Sequence, residues 1–234
     1  MIASHYRLSR RDFLKASGLT AVSLALAACA PAQAPTEGPV TSADEALQRL
    51  MEGNERYVAN KSTDLNESQS RRAELAQGQK PFATIFSCVD SRVPPELVFD
   101  RGLGDLFVIR TAGHVIDNAV LGSLEFGVAE LKIPLLMVLG HEKCGAVKAT
   151  VEAVEKNATA EGDINWLVEG IRPAVEEVKS QSGDLLDNAV KANVTLTVER
   201  LKGSAILSEA LEKSELQIVG GRYDLDTGMV EIIA

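Results

Sequence analysis

Seven consecutive apolar residues, Ile133-Pro134-Leu135-Leu136-Met137-Val138-Leu139, constrain the fold of this chain more than any other stretch. A strand that is apolar at every position has no face to turn to water, so it belongs in a sheet covered on both sides. Three shorter runs share this character: Phe82-Ala83-Thr84-Ile85-Phe86-Ser87, Asp105-Leu106-Phe107-Val108-Ile109-Arg110 and Leu216-Gln217-Ile218-Val219-Gly220. Helical spacing separates them, first over 118–131 and then over 145–155, 163–180, 185–201 and 206–213, with Pro173 interrupting or starting part of the third. Strands alternating with helices predict an α/β fold with a mostly parallel central sheet. A C-terminal hairpin turning at Asp226-Thr227-Gly228 completes it.

An N-terminal helical arm precedes the first strand. Ser42-Ala43-Asp44-Glu45 is a capping box opening a helix to about Val58, and a second helical pattern over 70–77 is stopped by Gly78 and Pro81. Both have narrow apolar faces, which points to packing on a partner subunit. With no internal repeat and no second core, residues 41–234 read as one domain.

Ligands of open α/β sheets gather at the carboxyl ends of the strands. Cys88 stands directly after the 82–87 run, and Gly140-His141-Glu142-Lys143-Cys144-Gly145 follows the 133–139 run. Cys88, His141 and Cys144 form a soft set of two thiolates and one imidazole. That set suits Zn²⁺ and leaves a fourth position open for water or substrate, as a catalytic site does. Cys144 also opens the 145–155 helix, whose N-terminus favours a thiolate. A thiol redox protein would want Cys-x-x-Cys, and the pair here is His-x-x-Cys.

Composition narrows the partners. A net charge of −9 excludes a general nucleic-acid binder, which needs a basic face. Three cysteines, an odd number in a chain of 234 residues, do not suggest a disulfide framework. The front of the chain carries Ser9-Arg10-Arg11-Asp12-Phe13-Leu14-Lys15 and then an apolar run ending in Leu26-Ala27-Ala28-Cys29. It resembles a twin-arginine export signal over residues 1–28 followed by a lipobox, with lipidation of Cys29 as a membrane anchor. Residues 29–40, rich in Pro and Ala, read as a tether. The expected location is extracytoplasmic. Because the twin-arginine route carries folded proteins, zinc would be loaded before the thiols met an oxidising compartment.

Cys88-x-Asp90-Ser91-Arg92 together with His141-x-x-Cys144-Gly145 resembles the paired signatures of the β-class carbonic anhydrases. The similarity extends through residues 104–110, Leu139-Gly140-His141 and Gly220-x-x-Tyr223-Asp224. It implies reversible hydration of CO₂ to bicarbonate and a proton, one Zn²⁺ per subunit carrying hydroxide as nucleophile, and a homodimer or homotetramer. It also implies that Arg92 holds Asp90 ionised while Asp90 accepts a hydrogen bond from the nucleophile. In some members, or at lower pH, the same Asp becomes the fourth metal ligand.

Two departures bear on activity. Bicarbonate-inhibited members carry Trp where this chain has Ile85, which favours an open, active site here. Plant-like members place a pocket Gln near the position of Gly102. Gly113, His114 and Gly145 are the candidate substrate-pocket residues. His114 stands where the family usually has Asn, and an exposed imidazole there would carry protons; the alternative is a loop-stabilising role. A COS or CS₂ hydrolase on the same fold, or a non-catalytic exported zinc-binding lipoprotein, are the rival functions.

Overall fold

The computed structural model describes residues 38–63 and 67–234. The twin-arginine motif, the lipobox with Cys29 and the tether as far as residue 37 lie outside the described residues. Two helices, α1 (Ala43–Val58) and α2 (Gln69–Leu75), lead into β1 (Ala83–Ser87), the short α3 (Pro95–Val98) and β2 (Leu106–Arg110). A 3-10 turn (Ala112–His114), α4 (Asn118–Ala129), β3 (Leu135–His141), α5 (Gly145–Glu155) and α6 (Ile164–Val178) follow. The chain continues through α7 (Leu185–Lys202), α8 (Ala205–Glu212), β4 (Gln217–Tyr223) and β5 (Val230–Ile232). Pro173 lies inside α6 without ending it.

The sheet order is β2-β1-β3-β4-β5, with β5 antiparallel to β4 and the other neighbours parallel. The apolar runs form the strands because alternate residues feed two different layers. Ile85 of β1 and Leu135, Met137 and Leu139 of β3 pack with Ala46 and Leu50 of α1 and with Phe99. Phe86, Leu136 and Val138 pack on the opposite face with Leu124 of α4, Val194 and Leu201 of α7 and Leu207 of α8. Each fully buried side chain of this size contributes about 1.5–3 kcal/mol, so neither face tolerates a charge. Edge strand β2 is only half-buried along its length.

Ser42 caps α1 by accepting from the Glu45 N–H at 3.1 Å. The reciprocal bond reaches one residue further than a capping box predicts, because Glu45 Oε2 accepts from the Thr41 N–H at 2.9 Å. The expectation that both arm helices face a partner needs correction for α1, which spends its apolar face on its own sheet. Asn54 fixes it there: its Nδ2 donates to the carbonyls of Val98 and Gly228, and its Oδ1 accepts from the Val230 N–H. A Cβ at Gly53 would stand 1.8 Å from the Phe99 carbonyl oxygen, so only glycine permits this approach. By contrast α2 buries no residue.

A third apolar cluster joins Val147 of α5, Ile171, Val175 and Val178 of α6, and Ala189 and Val190 of α7. It includes Cys88 and Cys144, so the packing of these helices encloses the two thiols.

Candidate metal centre

Three structural elements bring the ligand candidates together. Cys88 leaves the end of β1, His141 is the last residue of β3, and Cys144 is the N-cap of α5. Strands β1 and β3 are parallel neighbours with Ser87 opposite Leu139, so their carboxyl ends meet. Lys143, at φ 53°, makes the turn that returns the chain from His141 to Cys144. All three residues are buried, and their ligand atoms lie within 4.8 Å of one another.

The donor atoms are prepared for a cation. His141 Nδ1 lies 2.9 Å from the Glu142 carbonyl oxygen, so it carries the proton and donates it. That leaves the lone pair on Nε2, a buried atom with no hydrogen-bond partner. A buried nitrogen without a partner is costly, and a metal ion is the natural occupant of its lone pair. The sulfurs of Cys88 and Cys144 are 3.9 Å apart. The hydrogen bond from Cys144 pulls the Cys88 thiol far below the ordinary range, and the same contact pushes Cys144 up. The backbone amides of Val147 and Ala146 lower Cys144, as expected at a helix N-terminus, but the neighbouring sulfur and burial outweigh them. The two sulfurs thus share one proton, a place that a divalent cation can take. Burial disfavours the His141 imidazolium, yet the neighbouring Cys88 sulfur outweighs burial and raises the pKa. Cys88, His141 and Cys144 therefore fit a metal ion.

Asp90 and Arg92 lie beside this group in the turn after β1. Arg92 donates to Asp90 Oδ1 from Nε at 2.9 Å and from the backbone N–H at 3.0 Å, and to Oδ2 from Nη2 at 2.7 Å. This fork holds the carboxyl well below the usual range, against the opposing effect of burial. Asp90 Oδ2 stands 3.8 Å from His141 Nε2. A carboxylate offers roughly four lone-pair sites, so Oδ1 has both of its sites taken and Oδ2 keeps one on the side of the ligand group.

Arg110 is a residue that sequence reasoning did not single out. Its Nε donates to the Cys88 carbonyl at 2.9 Å, and its Nη2 donates to the carbonyls of Asp90 at 2.7 Å and Val93 at 3.3 Å. One guanidinium therefore ties down the loop that carries the first ligand and the acid. Arg110 pairs with Ser87 across β1 and β2; its place at the end of an apolar strand, within the 104–110 stretch of the family resemblance, was the available signal.

Gly113 lies at the ligand group. Its N–H donates to Cys88 Sγ at 3.3 Å, and its φ is 60°. A Cβ there would stand 2.5 Å from Ile171 Cδ1. Gly145 is exposed at the start of α5, with open space where its Cβ would be. His114 corrects an expectation, since it is 3% exposed and not at the surface. Burial lowers its pKa to about 4, so it is neutral at physiological pH and is not an exposed proton carrier. Its ring meets Phe86 edge-to-face at 6.1 Å and is flanked by Asn193 and Thr197 of α7.

Comparison with known proteins supplies a family. Residues 83–230 match the family model described as carbonic anhydrase. The chain is 45% identical over 191 residues to carbonic anhydrase 2 of Mycobacterium tuberculosis, covering 81% of this chain and 92% of that protein. It is 42% identical to a carbonic anhydrase of Mycolicibacterium smegmatis, covering 85% and 95% of the two chains. The solved structure of the β-carbonic anhydrase CcaA superposes with a TM-score of 0.64 at 26% identity, covering 80% of this chain and 98% of that one.

Proposed function

The chain belongs to the β-class carbonic anhydrase family, and we propose that Cys88, His141 and Cys144 hold Zn²⁺ for the reversible hydration of CO₂, with Asp90 and Arg92 orienting the attacking water. The observation that carries this reading is the buried His141 Nε2, partnerless beside two sulfurs 3.9 Å apart and facing the one free lone pair of Asp90. Two sulfurs and a nitrogen form a soft donor set, which favours Zn²⁺ over Mg²⁺ or Ca²⁺. When bound, zinc supplies Lewis acidity, which makes water nucleophilic near neutral pH.

The protein's own groups do the rest. Asp90 Oδ2 accepts a hydrogen bond from the attacking water and so fixes which lone pair faces carbon. Arg92 keeps Asp90 ionised and holds it off the ligand group, with both oxygens engaged. That arrangement favours an open site at rest, with Asp90 as acceptor instead of fourth metal ligand. Arg110 keeps the Cys88–Val93 loop from drifting. The exposed Gly145, with open space where a Cβ would be, is the substrate side of the site, whereas Gly113 is crowded by Ile171 and Ala146. With His114 buried, the released proton leaves through solvent and buffer.

Stopped-flow CO₂ hydration from about pH 6.5 to 9, on protein whose zinc content is measured, tests the reading. It expects one zinc per subunit and activity that rises with pH; zinc-loaded protein inactive on CO₂ but active on COS or CS₂ overturns it. A homodimer or homotetramer is also proposed, supported by the half-buried edge strand β2 and the helix α2. Export by the twin-arginine route with a lipid on Cys29 rests on the motif alone. Fatty-acid label that entered a Cys29→Ser variant as well as the wild type would remove the anchor.

A further inference from the structure

Asn193 and Thr197 lie one turn apart on α7, among Val190, Val194 and Val198, in a helix otherwise committed to apolar packing. An amide buried at such a place is costly unless its donors are used. Asn193 is 5% exposed, and its Nδ2 donates to the Gly113 carbonyl at 3.0 Å. The same nitrogen lies 3.3 Å from His114 Nδ1, which the Thr197 hydroxyl approaches to 3.4 Å. The helix thus reaches about 80 residues back along the sequence to grip a single turn.

That turn is unusual in itself. Gly113 and His114 both occupy the left-handed region, at φ 60° and 45°. For a buried histidine this conformation costs on the order of 1 kcal/mol or more and persists only where its surroundings hold it. Several contacts do so. Ile171 and Ala146 crowd the Gly113 Cα, and Gly140, beside His141, leaves room for Val194 of α7. Asn193 takes the carbonyl of Gly113, whose N–H points at Cys88 Sγ.

We propose that Asn193 is a positioning residue for the Cys88 ligand: by holding the Gly113 carbonyl, it aims the Gly113 N–H at the Cys88 sulfur. The inference rests on the reading of Cys88, His141 and Cys144 as metal ligands. An N–H···S hydrogen bond withdraws charge from a thiolate and fixes the direction of its lone pairs. Without Asn193, the turn is free to rotate its amide away, and the sulfur becomes both more electron-rich and less well placed.

The experiment uses cobalt as a spectroscopic probe in the full chain. Wild type, Asn193→Leu (similar in size, no donor) and Asn193→Ser (a donor retained) are loaded with Co²⁺, and the sulfur-to-cobalt charge-transfer band is recorded. Zinc affinity is measured by competition with a chelator. Asn193→Leu is expected to move the band to lower energy and weaken zinc binding about tenfold or more, with Asn193→Ser between it and wild type. A purely structural role would lower the melting temperature and leave the band in place. An unmoved band in whichever variants fold overturns the proposal, as does Asn193→Ser behaving like Asn193→Leu. If the wild type itself shows no sulfur-to-cobalt band, the metal reading falls first and takes the proposal with it.

Discussion

Asp90 Oδ2 lies 3.8 Å from His141 Nε2 while Arg92 grips the same carboxylate through both oxygens. The acid is therefore aimed at the candidate ligand group and restrained from joining it. Asp90→Asn removes the charge and places an amide where an acceptor is needed. Turnover is expected to fall roughly 100-fold or more with zinc content unchanged. Arg92→Ala, which only loosens the acid, is expected to cost about tenfold. Stopped-flow hydration with metal analysis checks both, and an Asp90→Asn variant of wild-type activity would remove Asp90 from the mechanism.

Arg110 distributes its donors over three carbonyls, those of Cys88, Asp90 and Val93. Lysine keeps the charge but loses the planar fork. Arg110→Lys is expected to weaken zinc binding about tenfold, read by chelator competition, while circular dichroism stays native.

The strands and the three ligand candidates were legible because their cause is local. A run apolar at every position, such as 133–139, has few places to go, and Cys88 and His141 stand where such runs end. What could not be read depended on pairing across the fold. Arg110 reaches the Cys88 loop because β2 lies beside β1, a register that no single segment encodes. For His114 an exposed proton carrier and a loop-stabilising role both fitted, since the short segment after β2 does not show how deeply the ring lies. It is buried because α7 supplies Asn193 and Thr197 from about 80 residues away. The arm helix α1 was misjudged for a related reason, since its partner face is its own sheet, anchored through Asn54 to the hairpin at Gly228 and Val230.

Gly113 and Ile171 offer a test of packing at the ligand group. A methyl at Gly113 would meet Ile171 Cδ1 at 2.5 Å and would have to adopt φ 60°. Gly113→Ala is expected to destabilise the protein by roughly 1–3 kcal/mol. Ile171→Val deletes the Cδ1 and should recover part of that loss in the double variant, a coupling measurable by a thermodynamic cycle. Strictly additive effects would place the strain in the backbone alone.

His114 makes the stability of the fold depend on pH in a calculable direction. Its pKa is about 4 in the folded chain, from burial, against an ordinary value of 6.5. Below pH 6.5 the unfolded chain takes up a proton that the folded chain refuses, so stability is full above that value and falls as the pH drops toward 4. One pKa unit is about 1.4 kcal/mol, which makes the loss across the window on the order of 3 kcal/mol. Acid also releases a metal held by thiolates, so the wild type must be compared with His114→Asn at each pH, both metal-free. The stability of the wild type relative to the variant is expected to fall between pH 6.5 and 4 and to level off at either side. A constant difference across the window would mean that the buried imidazole takes up its proton at the ordinary value, against the burial that surrounds it.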